Sequence, residues 1–339
     1  MPRLGPAGGY MRRREFITLI GGAATWPLVA RAQGSQKMRR VGVLFGIAES
    51  DPLMKDRIKG FRLGMRDLGW IEGRDIQIEY RFAGANLDSI KRSVEELLRF
   101  APDVIVANST PVLAALQSAT STIPIVFVIV NDPVGQGFIS SIANPGSNIT
   151  GFSFIEFAII GKWINLLADV KPNLSRVALM FNPDTAPYYD SYLRSFKASP
   201  QRTSVEVDAM HVRSVAEIDL AVAELGREPG NGLIAAPDPY ILTVRGAILK
   251  AANKHRLPVI SSYRQFVVEG SLMSYGPDTA EIFRRSSAYV DRILNGEPPG
   301  KLPAQSPDKF ELVVNLKTAK ALGLSVRESF LLLADEVIE

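Results

Sequence analysis

Short apolar runs alternate with amphipathic stretches along nearly the whole chain, in two successive series. The first opens with VGVLFG (41–46), whose length and closing glycine suit a strand buried on both faces. Ile58, Phe61, Met65 and Leu68 then recur at helical spacing, and Gly69 stands where a helix C-terminus favours glycine. IQIEYRF (76–82) alternates, residues 87–100 are amphipathic with Asp88 near the start, DVIVAN (103–108) predicts a strand, 111–120 a helix and IPIVFVIV (123–130) a strand. The second series runs through RVALMF (176–181), a helix over 188–198, TSVEVDAM (203–210), a helix over 214–226, GLIAAPD (232–238), a helix over 240–255 and LPVISS (257–262). Strands separated by helices pair in parallel, because the intervening helix returns the chain to the starting edge.

The two series echo each other. Val41 to Pro124 spans 83 residues and Val177 to Pro258 spans 81, so two α/β lobes of similar size are expected. NITGFSF (148–154) is a candidate crossing between them, and GSLMSYGPD (270–278) reads as a strand leaving the second series. A helix over 279–295, a Pro/Gly-rich stretch over 296–307 and the strand FELVVN (310–315) follow. The expected fold is therefore α/β: two Rossmann-like lobes with parallel sheets, joined by about three hinge crossings. The first lobe takes 38–150 plus about 278–305, the second 151–277 plus about 306–339. A hinge of this kind permits closure around a ligand.

The isoelectric point near 9.2 would suggest an anionic partner. Its source is the N-terminus: residues 1–32 hold five of the 39 basic residues and one of the 35 acidic ones, which leaves 34 of each. The remainder is neutral, so no nucleic-acid partner is expected. Residues 12–32 give a basic cluster, a weakly apolar stretch from Phe16 to Ala30 with Gly21, Gly22 and Pro27, and an Ala30-Arg31-Ala32 cleavage site. That order is a secretory signal peptide, and the stretch is too short and glycine-rich for a good membrane span. Arg13-Arg14-Glu15-Phe16-Ile17 resembles the twin-arginine export motif. With no Cys anywhere in the chain, disulfides, thiolate metal sites and an N-terminal lipid anchor are excluded, and a soluble periplasmic protein is expected.

The chain has no GxGxxG after a strand, no GxxxxGK[ST], no GxSxG and no HExxH. Its two histidines, His211 and His255, lack motif context and read as surface residues. What recurs instead is polar residues just past the strands, where parallel sheets bind ligands. These are Ser109-Thr110-Pro111, Asn131-Asp132-Pro133, Asn182-Pro183-Asp184, Asp238-Pro239-Tyr240 and Ser262-Tyr263. Thr110 at an N-cap with Pro111 behind it would start a helix whose free N–H groups suit a carboxylate. Asp132, Asp184 and Asp238 offer the opposite charge for an ammonium, and Phe45, Phe154, Phe181, Tyr188, Tyr240 and Tyr263 lie nearby as aromatic walls. Each polar residue is also an ordinary helix cap, and the aromatics also suit a core. The repetition across both lobes points to a small zwitterion such as an amino acid.

The strings RRREFITLIGGAA, LGWIEGRDIQIEYRFA, APDVIVANSTPVLAALQ, IPIVFVIVNDPVGQGFI, NPGSNITGF, LMSYGPD and YVDRILNGEPPGKLPAQSPDKFELVVNLKTAKALGL carry a family resemblance over essentially the whole mature chain. They resemble bacterial ABC-transporter substrate-binding proteins, in the subfamily that includes tryptophan- and tyrosine-uptake proteins. The resemblance implies a type I periplasmic-binding-protein fold and a solute captured between the lobes. It also implies partners: an inner-membrane ABC permease and its cytoplasmic ATPase. Ser109 and Thr110 would then fix a carboxylate, and Asn131, Asp132, Phe154, Asn182, Asp238 and Tyr263 complete the candidate site. No cofactor, metal or catalytic residue is expected, and the protein is expected to be a monomer. An exported enzyme or a ligand sensor on the same fold are the alternative readings.

Overall fold

Each series folds into its own sheet. The structure, a computed structural model, describes Met1, residues 38–198 and residues 204–339. The signal-peptide segment, Met1 aside, lies outside the described residues.

The first sheet contains β1 (Arg39–Phe45), β2 (Ile76–Phe82), β3 (Val104–Asn108), β4 (Ile125–Val130) and β5 (Ile149–Ser153) in the order β2-β1-β3-β4-β5, all parallel. The helices α1 (Pro52–Asp67), α2 (Leu87–Arg99) and α3 (Thr110–Ala119) connect them. The second sheet contains β6 (Arg176–Phe181), β7 (Glu206–His211), β8 (Asn231–Ala235), β9 (Val259–Ser261) and β10 (Met273–Gly276). Their order, β7-β6-β8-β9-β10, repeats that of the first sheet strand for strand. β11 (Glu311–Asn315) adds antiparallel to β10, and β12 (Glu336–Ile338) closes the edge. Helices α4 (Ile159–Val170), α5 (Tyr188–Ala198), α6 (Val215–Leu225), α7 (Pro239–Thr243), α8 (Arg245–Lys254) and α9 (Arg264–Val268) belong to this series.

Local chemistry sets the element ends. Asp51 caps α1 by accepting from Leu53 N at 3.0 Å, and Pro52 fixes the first helical φ. Past its end, Gly69 takes φ 91°, and Trp70 donates from Nε1 to Asp291 at 2.9 Å. The single helix expected over 240–255 is broken. Val244 leaves helical geometry at φ −98°, ψ 12°, and the Arg245 side chain folds back to donate to Leu242 O at 2.7 Å. Residues 149–153, expected as part of a crossing, form the edge strand β5, so the chain leaves the first sheet only after Ser153.

After β10 the chain returns to the first sheet as α10 (Thr279–Leu294). It lies along α1, where a Cβ on Gly60 would sit 2.4 Å from Ala280 O and one on Gly64 would sit 2.5 Å from Arg284 O. Gln305 then pairs with β5, accepting from Ser153 N at 2.8 Å and donating to Gly151 O at 2.9 Å. The chain crosses a third time to reach β11, and α11 (Leu316–Ala321) and α12 (Glu328–Leu331) complete it. The lobes are thus joined through residues 154–158, 277–278 and 306–310. Because the clash at Gly60 is with backbone, Gly60→Ala should cost about 1–3 kcal/mol by forcing the two helices apart. Urea unfolding of the variant measures this.

Candidate functional site

The eight candidate site residues follow the C-terminal ends of parallel strands, and hydrogen bonds from Asn131 to Tyr188 and Pro237 bring the two sets of ends together at the junction of the lobes. Ser109 and Thr110 follow β3, Asn131 and Asp132 follow β4, and Phe154 follows β5. From the other sheet come Asn182 after β6, Asp238 after β8 and Tyr263 after β9. All except Asp132 are buried, because the lobes meet closely here.

Of the five non-glycine residues of the first lobe that hold left-handed backbone, three lie at or beside β3 and β4: Ser109 at φ 87°, Ile129 at φ 60° and Asp132 at φ 45°. For Ser109, with ψ 155°, this is a region that essentially only glycine visits, and for β-branched Ile129 it accompanies a register shift in β4. Strain of this kind gathers where side chains must be aimed. Thr110 is the first helical residue rather than the cap. Ser109 holds the cap position without capping, which leaves its Oγ with no partner. Thr110 instead accepts from Asn131 N at 3.3 Å.

Asn131 reaches across the junction, donating from Nδ2 to Tyr188 Oη at 2.9 Å and to Pro237 O at 3.3 Å. Its Oδ1 has no partner. Asp132 turns away: one carboxylate oxygen accepts from Gly135 N at 2.9 Å within its own turn. Phe154 stacks on Tyr263 with ring centres 5.3 Å apart. Asn182 caps its own loop, accepting from Asp184 N at 2.8 Å. Asp184 is exposed and pairs with Arg213.

Asp238 is fully buried and accepts three hydrogen bonds: from Asn182 N at 2.8 Å, Thr185 Oγ1 at 2.6 Å and Tyr240 N at 3.0 Å. A carboxylate offers about four lone-pair sites, so one acceptor position remains. Burial pushes its pKa up to about 6 against the relief given by those bonds, and no cation is among the groups acting on it. Burial likewise pushes Tyr188 upward, with Asp238 adding to the effect.

The sequence reading missed two arginines. Arg245 donates from Nη1 to Asp51 across the junction at 2.5 Å and also meets Glu269 at 2.9 Å; the Arg245 and Asp51 side chains are only 9% and 8% exposed. Arg57 of α1 lies over the Tyr263 ring, 5.8 Å from its centroid. Helical spacing could have flagged Arg57, which follows Met54 by three and precedes Phe61 by four on the buried stripe. Among the described residues, five buried side chains hold a polar atom without a partner: Arg57, Ser109, Asn131, Ser262 and Tyr80. The first four belong to the lobe junction. Beside it a cavity of about 430 Å³ is lined by Gly60, Ser262, Tyr263 and Thr279. No group of three or more acidic or histidine side chains among the described residues could hold a metal ion.

Two predictions follow from this geometry. Ser109→Gly removes the strain and should stabilise the solute-free protein by about 1 kcal/mol while weakening solute binding, read by thermal unfolding and calorimetry. Asp238, with its folded pKa above the unfolded reference of 3.8, binds its proton first in the folded state. Its contribution to stability therefore improves as pH falls from about 6 toward 4, by on the order of 2–3 kcal/mol. The difference in unfolding free energy between the wild type and Asp238→Asn should change by that amount over this window, and a pH-independent difference would contradict it.

Residues 40–338 match the family described as ABC transporter substrate binding protein. The chain is 26% identical over 292 residues to a tyrosine-binding protein of Clostridioides difficile strain R20291, covering 86% of this chain and 82% of that one. A conserved domain protein from Vibrio cholerae superposes with a TM-score of 0.81 at 28% identity over 89% of this chain and 100% of that one. An ABC domain from Streptococcus pneumonia in complex with L-Trp gives 0.81 at 22% identity, with the same coverage. Sheet order, strand-end site and family match agree: the chain belongs to the ABC transporter substrate-binding proteins.

Proposed function

We propose that this substrate-binding protein captures an aromatic amino acid between its lobes and carries it to an ABC permease powered by a cytoplasmic ATPase. The observation that carries the reading is the set of idle polar atoms at a buried, aromatic-walled junction, opposite a carboxylate with no cation. A zwitterion with a ring matches all three features. Its carboxylate is held at the start of α3 by Ser109 and Thr110, where helix N–H groups add positive potential. Its ammonium meets the remaining acceptor position of Asp238, and the stacked pair Phe154–Tyr263 offers the ring an aromatic wall. Asn131 and Asn182 shape the two sides, and Asp132 stays at the rim. The relatives that bind tyrosine or tryptophan support this solute class.

The protein works by binding and release, without covalent chemistry, as a monomer in the periplasm after cleavage of residues 1–32. No helix of the described residues is long and apolar enough to cross a membrane. The lobes take 38–150 with about 278–305, and 151–277 with about 306–339, moved at one boundary by β5, which keeps residues 151–153 with the first sheet. Thermal unfolding against a panel of amino acids, aromatic acids, nucleosides and sugars tests the solute. A ligand of the folded state at a hundredfold excess over Kd adds about 2.7 kcal/mol. An upward shift with L-tyrosine or L-tryptophan is expected, and a shift confined to sugars or nucleosides would overturn the reading.

A further inference from the structure

Among the described residues, Arg57 is the only charged group with a buried polar atom that lacks a partner. It sits in the second turn of α1, 2% exposed, with its guanidinium between two aromatic rings. The Tyr263 centroid is 5.8 Å away and the Phe283 centroid 6.0 Å. Nε donates to Thr279 Oγ1 at 3.3 Å, and Nη2 donates to nothing. None of the ion pairs among the described residues includes it. The acid that acts on it, Asp51, is committed elsewhere, with one oxygen on Leu53 N and the other on Arg245. Burying a guanidinium without a counter-anion is costly, and two ring faces return only part of that cost. The Tyr263 hydroxyl also bears on the guanidinium as a hydrogen-bond partner, and the idle Nη2 N–H is the part left for a carboxylate.

We propose that Arg57 is the charged anchor for the solute's carboxylate, set against Asp238 for the ammonium, so that only a zwitterion satisfies both lobes at once. This deepens, and rests on, the aromatic amino-acid reading above. The first lobe then supplies the cation through α1 and the second the anion after β8, and closure and recognition become one event. Neutral hydroxyls at Ser109 and Thr110 orient the carboxylate, while Arg57 balances its charge. Tyr263 lies within the influence of both charged groups. Burial pushes its hydroxyl up to about 12, Arg57 pulls it down and Asp238 raises it again. The hydroxyl of Ser262, also buried and unpartnered, borders the same ring.

Calorimetric titration of the protein with L-tyrosine, tyramine and 3-(4-hydroxyphenyl)propionate tests the proposal, since tyramine lacks the carboxylate and the propionate lacks the ammonium. The wild type should bind tyrosine on the order of 100-fold more tightly than tyramine. Arg57→Gln should bring tyrosine down to the tyramine level while leaving tyramine within about twofold, and Arg57→Lys should recover part of the loss. A wild type that binds tyramine as tightly as tyrosine overturns the role of Arg57 alone and needs no variant. So does an Arg57→Gln protein that weakens both ligands by one factor, which is the signature of a tie between the lobes. Failure of the wild type to bind either tyrosine or L-tryptophan would remove the solute reading first, and this proposal with it.

Discussion

The close approach of α1 and α10 is the contact on which the rest of the architecture depends. Gly60 and Gly64 let α10 lie directly on α1, so a segment that follows the last parallel strand of the second series returns to the first sheet. Without that return the chain would be two lobes on a single tether. With it, three crossings hold the lobes at a fixed edge, and Thr279 at the start of α10 comes to rest beside Arg57. A packing contact between two small residues and a helix backbone thereby positions a charged group at the site.

The junction itself is electrostatically uneven. Asp51, Arg245 and Glu269 form an ion-paired set that spans the lobes and satisfies itself. Such buried sets add little net stability, since desolvation offsets most of the attraction, but they fix geometry. Arg57 and Asp238 differ from it: each is buried, Arg57 forms no ion pair and feels Asp51 only at a distance, and no cation acts on Asp238. One fold thus keeps one set of junction charges paired and leaves a buried cation in the first lobe and a buried carboxylate in the second without an ion-pair partner.

The strand–helix alternation carries most of the fold. The strands themselves, and their division into two similar series, are legible in apolar runs of a few residues and the spacing between them; the order of strands within each sheet comes from the structure. The strand-end rule likewise placed Ser109, Asn131, Asp238 and Tyr263 at one junction. Tertiary effects were not legible. Helical spacing puts Arg57 on the inward stripe of its helix, but only the structure shows that Tyr263 and Phe283 are what it meets there. Val244 interrupts a helix because Arg245 must turn toward Asp51, a residue 194 positions away. Ser109 rather than Thr110 takes the cap position because the backbone there is bent to a conformation no propensity favours. Asp132 and Asp238 have similar sequence surroundings, yet one closes its own turn and the other is fully buried.

The three crossings differ in length, and that difference sets how the molecule can move. Pro277–Asp278 is the shortest, bounded by β10 on one side and by the Asp278 cap of α10 on the other. Gln305 is sewn to β5 and Glu311 to β10, so the third crossing keeps only residues 306–310 free, with Pro307 among them. Sliding of one lobe past the other would stretch all three links, whereas rotation about a line through them strains none. Links of this kind favour a door on a short pin over a sliding pair: a small change in backbone angle beside Pro277 would become a large change in the width of the mouth at the far rim.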